Sequence, residues 1–427
     1  MVRKMRIAML TNNYKPFIGG VPISIERLAN GLREQGHEVF IFAPSYENQV
    51  DEENVVRYKS LKEDNKITGK FAVPNIFDLN IERKFRELNI DIIHVHHPML
   101  IGWTAIYLGK KYNIPVIFTY HTRYEQYLHN IKLYDALDNR KNRDKGILNN
   151  IENDILTFTK ETLVPKGVKT FSNMCDMIFA PTKEIKNYLE EINVNTNINV
   201  MPTGLEDTNF IGDESRTREI RDKYIDDKKY LFCTVSRLTK EKNVEFIIDG
   251  IERLKEKVGD IFKLLIIGDG PLKEELKEKV SNLGIKSNVE FLNNIPNKNI
   301  GDYYRACDLF LFASKSETQG IVLIEAMAAK NPVVAVRGTG VVDIVENEVN
   351  GFITDEDIDE WSDKIASLLN NKVSFKKMSI RAYNTALNYS SEKIAKIAEK
   401  SYIDVIELYR NRGEGFNYEF GFRNVYK

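Results

Sequence analysis

Cysteine is scarce: Cys175, Cys233 and Cys307 stand far apart and form no Cys-x-x-Cys pair. That excludes a disulfide framework or a zinc knuckle and leads to the expectation of a reducing, cytoplasmic setting. Net charge is missing too. The 61 Lys and Arg oppose 62 Asp and Glu, leaving -1, so no overall field draws the chain onto a polynucleotide and no nucleic-acid partner is expected. An anionic ligand would have to be met by a local basic patch or by backbone amides. There is no uninterrupted apolar stretch of the roughly 20 residues that a membrane-spanning helix needs, although binding at a membrane surface stays open. The apolar run behind Met1-Val2-Arg3-Lys4-Met5-Arg6 is too short for a signal peptide and is expected to be a first buried strand. Solenoid repeats and low-complexity tracts are also absent.

What is present is apolar matter for two sizeable cores, with 42% hydrophobic and 29% charged residues in 427, a length that suits two or three domains. Strand-like runs at 6–11, 39–43, 92–95, 116–120, 177–180 and 198–201 alternate with helical patterns. Val21, Ile25, Leu28 and Leu32 form one such helical stripe, with Gly36 as its stop. A second series of runs, at 230–235, 264–267, 289–292, 309–312 and 333–336, alternates with amphipathic stretches at 243–258, 271–282, 298–306 and 321–329. The charged segment 206–228 separates the two series and is expected to be a linker. The pattern predicts an α/β protein of two doubly wound domains, 1–205 and 206–390, followed by a helix and tail over 391–427. Ligands in such sheets sit beyond the carboxyl ends of the strands, so the site is expected in a cleft between the domains.

The most informative stretch is Ser316-Glu317-Thr318-Gln319-Gly320-Ile321-Val322-Leu323-Ile324-Glu325. A strand runs into a loop with Gly320, and a helix begins near Ile321. Its N-terminal N–H groups and dipole suit a diphosphate. Glu317 can take sugar hydroxyls and Glu325, about one turn into the helix, can hold a ribose diol. The pair alone is better read as an ordinary N-terminal helix acid and a solvated helix residue. A hydrolase acid and nucleophile pair is a third reading, but belongs to facing carboxyls about 5–9 Å apart. His94-Val95-His96-His97-Pro98 invites a metal reading, yet no acidic or cysteine partner lies nearby, so no metal site is expected.

These motifs resemble the family-four retaining glycosyltransferases, whose signature is this pair of glutamates, and the resemblance covers most of the chain. It implies the GT-B architecture, two Rossmann-like domains facing across a cleft, and a nucleotide-sugar donor with no tightly bound cofactor; a divalent ion could stimulate without a dedicated site. Glu317 and His121 of Thr119-Tyr120-His121-Thr122 take the catalytic positions. The donor-binding positions are Gly19 and Gly20 by the phosphate, Arg237 and Lys242 of Ser236-Arg237-Leu238-Thr239-Lys240-Glu241-Lys242-Asn243 on the pyrophosphate, and Gly268, Asn294 and Ile295 beside the base. Thr318, Gln319, Gly320, Ile321, Val322 and Glu325 complete them. Without the family, Arg237 and Lys242 would be ordinary surface charges and Gly268-Asp269-Gly270-Pro271 a strand-to-helix turn, since no Gly-x-Gly-x-x-Gly dinucleotide fingerprint is present. One departure is Lys330-Asn331-Pro332, where the family carries glycine; a side chain would be forced into a left-handed conformation there, costing about 1 kcal/mol.

Tyr120-His121-Thr122-Arg123-Tyr124-Glu125-Gln126-Tyr127-Leu128-His129 and Gly338-Thr339-Gly340-Val341-Val342-Asp343 look most like bacterial diacylglycerol α-glucosyltransferases. That implies UDP-glucose as donor, a diacylglycerol-type lipid as acceptor and an anionic, cytoplasmic membrane face as partner; oligomeric state is not indicated. Residues 131–170 mix Lys132, Arg140, Lys141, Arg143, Lys145, Lys160, Lys166 and Lys169 with Ile155, Phe158 and Leu163, a candidate basic anchor. Asp135, Asp138, Asp144, Glu152, Asp154 and Glu161 dilute that charge, and a solvated helical insertion explains the segment equally well. The alternatives are a transferase for a soluble or polysaccharide acceptor and a catalytically silent nucleotide-sugar-binding subunit. A glycogen-phosphorylase-like enzyme lacks its lysine motif here.

Overall fold

The computed structural model describes residues 4–17, 19–47, 49–64, 71–75, 78–123, 162–315 and 317–415. Most of the 131–170 segment and the 124–129 part of the histidine motif lie outside these residues, as does Ser316. The chain divides into two compact units, Met1–Ala180 with Tyr188–Met201 and Ala395–Lys427, and Pro181–Asn187 with Pro202–Ile394.

The first unit contains β1 (Arg6–Leu10), β2 (Glu38–Pro44), β3 (Val55–Tyr58), a hairpin of β4 (Ser60–Asp64) and β5 (Phe71–Pro74), then β6 (Ile92–Val95), β7 (Val116–Thr119), β8 (Met177–Ala180) and β9 (Ile198–Val200). Seven of these form one parallel sheet in the order β3-β2-β1-β6-β7-β8-β9. Every residue of β6, β7 and β8 is buried. These strands therefore read as continuous apolar runs instead of alternating ones, as strands covered on both faces do. The helix Gly20–Glu34 buries Ile25, Leu28 and Leu32 and ends at Gly36, whose φ of 92° lets the chain turn into β2.

The second unit contains β10 (Tyr230–Val235), β11 (Phe262–Ile267), β12 (Val289–Leu292), β13 (Leu309–Phe312), β14 (Val333–Val336) and β15 (Gly351–Thr354). They pair in parallel as β12-β11-β10-β13-β14-β15. Each sheet reverses its winding once, between β1 and β6 in the first unit and between β10 and β13 in the second. At such a switch point the connecting helices leave towards opposite faces and a crevice opens at the carboxyl ends. Both units are thus Rossmann-like, and the α/β doubly wound expectation holds.

Two local features differ from the sequence pattern or explain it. The segment 206–228 is not a bare linker: Asp213 caps the helix Glu214–Ile225 by accepting from the Ser215 and Arg216 amides, Ile220 is buried, and Arg221 reaches the Ala306 carbonyl and Asp308. Its charge is high because little more than Ile220 faces the core. After the helix Ile321–Ala328, Lys330 takes φ 67° and its ammonium lies 5.4 Å above the Tyr383 ring centre. The side chain that strains the backbone therefore also finds a contact.

Gly250 sits in the middle of the helix Val244–Val258, where glycine costs about 1 kcal/mol against alanine. Its lack of a side chain admits fully buried Trp361 of the helix Ile358–Asn370, since a Cβ at Gly250 would come 2.5 Å from the indole. Gly250→Ala is therefore expected to lower the guanidinium midpoint, because overpacking at about 1–3 kcal/mol outweighs the propensity gain. A raised midpoint would mean that Trp361 yields freely.

Candidate active site

In the second unit, the loops after β10 and β13 meet over the switch point. Residues 236–243 leave β10 as a turn stacked on the loop after β11: the Leu238 amide donates to the Asp269 carbonyl and the Ser236 amide to the Ile267 carbonyl. The two backbones touch so closely that a Cβ on Gly268, at φ 145°, would come 1.9 Å from the Ser236 carbonyl oxygen. Only glycine fits there. The Gly268 amide donates to the Leu292 carbonyl, which fixes the turn against the end of β12; beyond it Asn294 is exposed and Ile295 half-buried.

The loop after β13 brings Glu317 to Lys242, whose ammonium is hydrogen-bonded to the Glu317 carboxylate. Their side chains are only 19% and 11% exposed, so the pair is shielded from water. The Glu317 amide also donates to Thr339 Oγ1, 3.3 Å away. Arg237 is more open, with its guanidinium 3.7 Å from Glu241. Glu241 braces the two loops. Its carboxylate accepts from Thr239 Oγ1 at 2.7 Å, and its carbonyl accepts from the Lys315 amide at 2.9 Å. Burial pushes the Glu241 carboxyl up, but the hydrogen bonds and the Lys242 and Arg237 charges outweigh it, and the net shift is downward.

Gly320, at φ 76°, turns this loop into the helix Ile321–Ala328, which has neither a side-chain cap nor an acid in its first turn. Its leading amides, on Ile321 and Val322, are therefore left for an anion. The Gln319 side chain is fully engaged, accepting from the Thr203 amide and donating to its carbonyl, and Thr318 is half-buried. Glu325 departs from a solvated helix residue: it is 6% exposed and accepts a 3.3 Å hydrogen bond from the Tyr304 hydroxyl. A buried carboxylate needs such partners.

The first unit repeats the arrangement with other chemistry. Gly19, in extended conformation, precedes the uncapped helix Gly20–Glu34, again without an acid in the first turn. A Cβ on Gly20 would meet nothing within 4 Å, so the fold itself does not demand glycine there. Across the switch point, the loop after β6 is tied to this one: the Asn12 amide donates to His97 Nδ1 at 3.2 Å and Asn12 Oδ1 accepts from the Ile101 amide at 3.1 Å. His121, two residues beyond β7, lies 2.8 Å from His96 through Nε2 and Nδ1, with the ring planes inclined by 25°, so that the two imidazoles meet edge to edge. His94 is held between Tyr402 Oη at 2.7 Å and Thr119 Oγ1 at 2.6 Å. The histidine run thus faces protein partners, and among the described residues no group of His, Cys, Asp and Glu is placed to hold a metal.

Comparison with known proteins places these loops. The model for Glycosyl transferases group 1 matches residues 215–385, and that for Glycosyltransferase Family 4 matches residues 18–209. The alpha-monoglucosyldiacylglycerol synthase of Streptococcus pneumoniae is 32% identical over 339 residues, 78% of this chain and 71% of that protein. The chain belongs to the family-four glycosyltransferases. The synthase of the same name from Acholeplasma laidlawii is 28% identical over 413 residues, 94% of this glycosyltransferase and 98% of that protein. In three dimensions, Anabaena Alr3699/HepE, solved in complex with UDP and glucose, matches 94% of this chain and all of that one with a TM-score of 0.68; at 16% identity this likeness is one of fold. The enzyme is a nucleotide-sugar-dependent glycosyltransferase of GT-B architecture.

Motif reading gave no separate role to three supporting residues of this glycosyltransferase. Glu241 lay inside the phosphate motif but carried no separate signal. Tyr304 precedes Glu325 by 21 residues, with β13 and the loop after it in between. His96 was visible only as part of a suspected metal run. No helix among the described residues is long and apolar enough to cross a membrane.

Burial holds His94 at about 3 and His97 at about 4, and drives His96 and His121 well below the ordinary imidazole value. The unfolded chain takes up these protons near pH 6.5, whereas the folded one does so only at lower pH. Stability gained by keeping the rings neutral is complete above about pH 6.5 and is lost as pH falls towards 4, by about 1.4 kcal/mol per pH unit for each histidine. Urea midpoints should therefore fall between about pH 6.5 and pH 5, before most carboxylates titrate. A flat midpoint across that interval would contradict the burial of the cluster.

Proposed function

We propose that this glycosyltransferase moves glucose from UDP-glucose to a diacylglycerol-type lipid at the cytoplasmic membrane surface, with retention of configuration. The observation that carries the donor half is the second unit's switch point. There a cationic pair (Arg237 and Lys242), uncapped amides and the carboxylates of Glu317 and Glu325 lie on the loops after β10 and β13 and the helix that follows, the chemistry that a nucleotide sugar calls for. Arg237, Lys242 and the amides of Ile321 and Val322 would take the diphosphate, and buried Glu325 the ribose diol. Gly268, Asn294 and Ile295 would border the base mainly through backbone. Glu317 would hold the sugar hydroxyls, alongside Thr318, Gln319 and Gly320. In the first unit, the open space over Gly20 suits a phosphate approaching the backbone, and His121 would border the reacting sugar.

The chemistry is same-face substitution. The bond from the anomeric carbon to the diphosphate oxygen breaks, the bond to the acceptor oxygen forms, and the leaving diphosphate takes the acceptor's proton. The protein supplies positioning and charge stabilisation. The lipid acceptor and the glucosyl donor are supported by the shared name of the two synthases, one of them related over nearly its whole length.

Radiolabelled UDP-glucose presented with diacylglycerol in mixed anionic vesicles is expected to yield labelled α-linked glycolipid, with UDP released in step. Glu317→Ala should lower that transfer by about 100-fold or more, the scale of removing one preorganised transition-state contact. Release of UDP without glycolipid would reject the lipid acceptor, and a β-linked product would reject retention.

A further inference from the structure

The histidine run at the end of β6 has no role in the scheme above, yet His96 within it lies at hydrogen-bond distance from His121. β6 and β7 are neighbours in parallel register, with Ile93 opposite Val116 and Val95 opposite Phe118. This register carries His96 alongside the residues that lead out of β7, and its Nδ1 lies 2.8 Å from His121 Nε2. The rings are 5.1 Å apart between centres and inclined by 25°. His96 is 1% exposed, and its other nitrogen, Nε2, is buried without a hydrogen-bond partner among the described residues. Behind it stands His94, whose ring centre is 4.2 Å away and whose two nitrogens are already taken by Tyr402 and Thr119.

A hydrogen bond between two neutral imidazoles needs one N–H and one lone pair. Were His121 the donor, His96 would carry its proton on Nε2, leaving a buried N–H with no acceptor. Were His96 the donor through Nδ1, its Nε2 would be left with only an unused lone pair. Orphaned buried N–H groups are the rarer and costlier of the two. A cationic ring is disfavoured as well, because burial and the adjoining imidazoles oppose protonation of both partners.

We propose that His96 is a positioning residue that donates from Nδ1 to His121 and so confines the His121 proton to Nδ1, making His121 a hydrogen-bond donor to the sugar and not a base. This rests on the reading that His121 borders the reacting sugar. Anchored at Nε2, the ring cannot flip, and the N–H it offers is fixed in direction before substrate arrives. The histidine motif after β6 then serves to orient a residue of the motif after β7.

The direct test is long-range proton–nitrogen NMR on the full chain with labelled histidine, the His121 signals being assigned by their loss in His121→Asn. The expected spectrum shows a protonated Nδ1 and an unprotonated Nε2 for His121. A protonated Nε2 in the unsubstituted chain would overturn the proposal. His96→Ala is expected to lower kcat by about tenfold while leaving the KM for UDP-glucose nearly unchanged, as loss of an orienting partner does. It should also let the His121 proton appear on Nε2 in the same spectrum, since nothing then confines it to Nδ1. His96→Asn, whose side-chain amide can donate from the same place, should restore the rate and the Nδ1-protonated tautomer. An unaltered His121 tautomer in His96→Ala would also overturn the proposal. Full transfer by His121→Ala together with the expected spectrum would instead retire the role of His121 at the sugar and leave the His96 bond standing.

Discussion

Lys242 and Glu317 lie 75 residues apart in sequence and meet because β10 and β13 are neighbours whose helices depart to opposite faces. The chain can bring a cation from one loop and a carboxylate from the other over the same crevice only at that reversal in the sheet. Their partial burial makes the pairing matter. An ammonium shielded from water needs a counter-charge, and Glu317 provides one while its own amide is tied to Thr339. A diphosphate arriving at the crevice would offer Lys242 a second anion, and the carboxylate could then turn to sugar hydroxyls. The pair thus keeps both groups ordered at the place where the proposed chemistry needs them.

The rest of the second unit can be understood as support for that meeting. Gly268 lets the loop after β11 press on Ser236 so closely that any side chain would collide with it. Glu241 joins the loops after β10 and β13 through its carbonyl, and Gln319 fastens the loop after β13 to Thr203. Glu325 is buried on the same short helix whose leading amides have no side-chain cap. The first unit uses the same topology with different side chains. A glycine loop follows β1, and a histidine cluster follows β6 and β7, stabilised neutral by burial. The positively polarised ends of the helices Gly20–Glu34 and Ile321–Ala328 carry no side-chain cap.

Much of this was legible in the sequence because buried parallel strands are continuous apolar runs. The runs at 92–95, 177–180, 289–292, 309–312 and 333–336 coincide with strands of the structure. The edge strand β3 was harder to see, since Val55, Val56 and Arg57 are half-buried and carry no such run. Segment 206–228 misled because a helix that buries little looks like charged solvent-exposed chain. At the site, the loop-to-helix motif pointed to Glu317, Glu325 and Gly320 and the family resemblance to Lys242, but neither pointed to burial. Nothing local distinguishes Glu325 from a solvated helix acid; only Tyr304 and the surrounding core do. The use of His96 was likewise hidden, because its partner follows a different strand and adjacency in a sheet leaves no mark in the spacing of a motif.

The central claim is that the two glutamates read opposite ends of one donor. Calorimetric titration of UDP and of UDP-glucose onto the unsubstituted enzyme, Glu325→Ala and Glu317→Ala tests it most directly, with circular dichroism to establish folding. Glu325→Ala should weaken both ligands alike by about 10- to 100-fold, the worth of charge-assisted hydrogen bonds to a diol. Glu317→Ala should weaken UDP-glucose while leaving UDP close to its original affinity. A folded Glu325→Ala enzyme that binds UDP as tightly as the unsubstituted one would contradict the account.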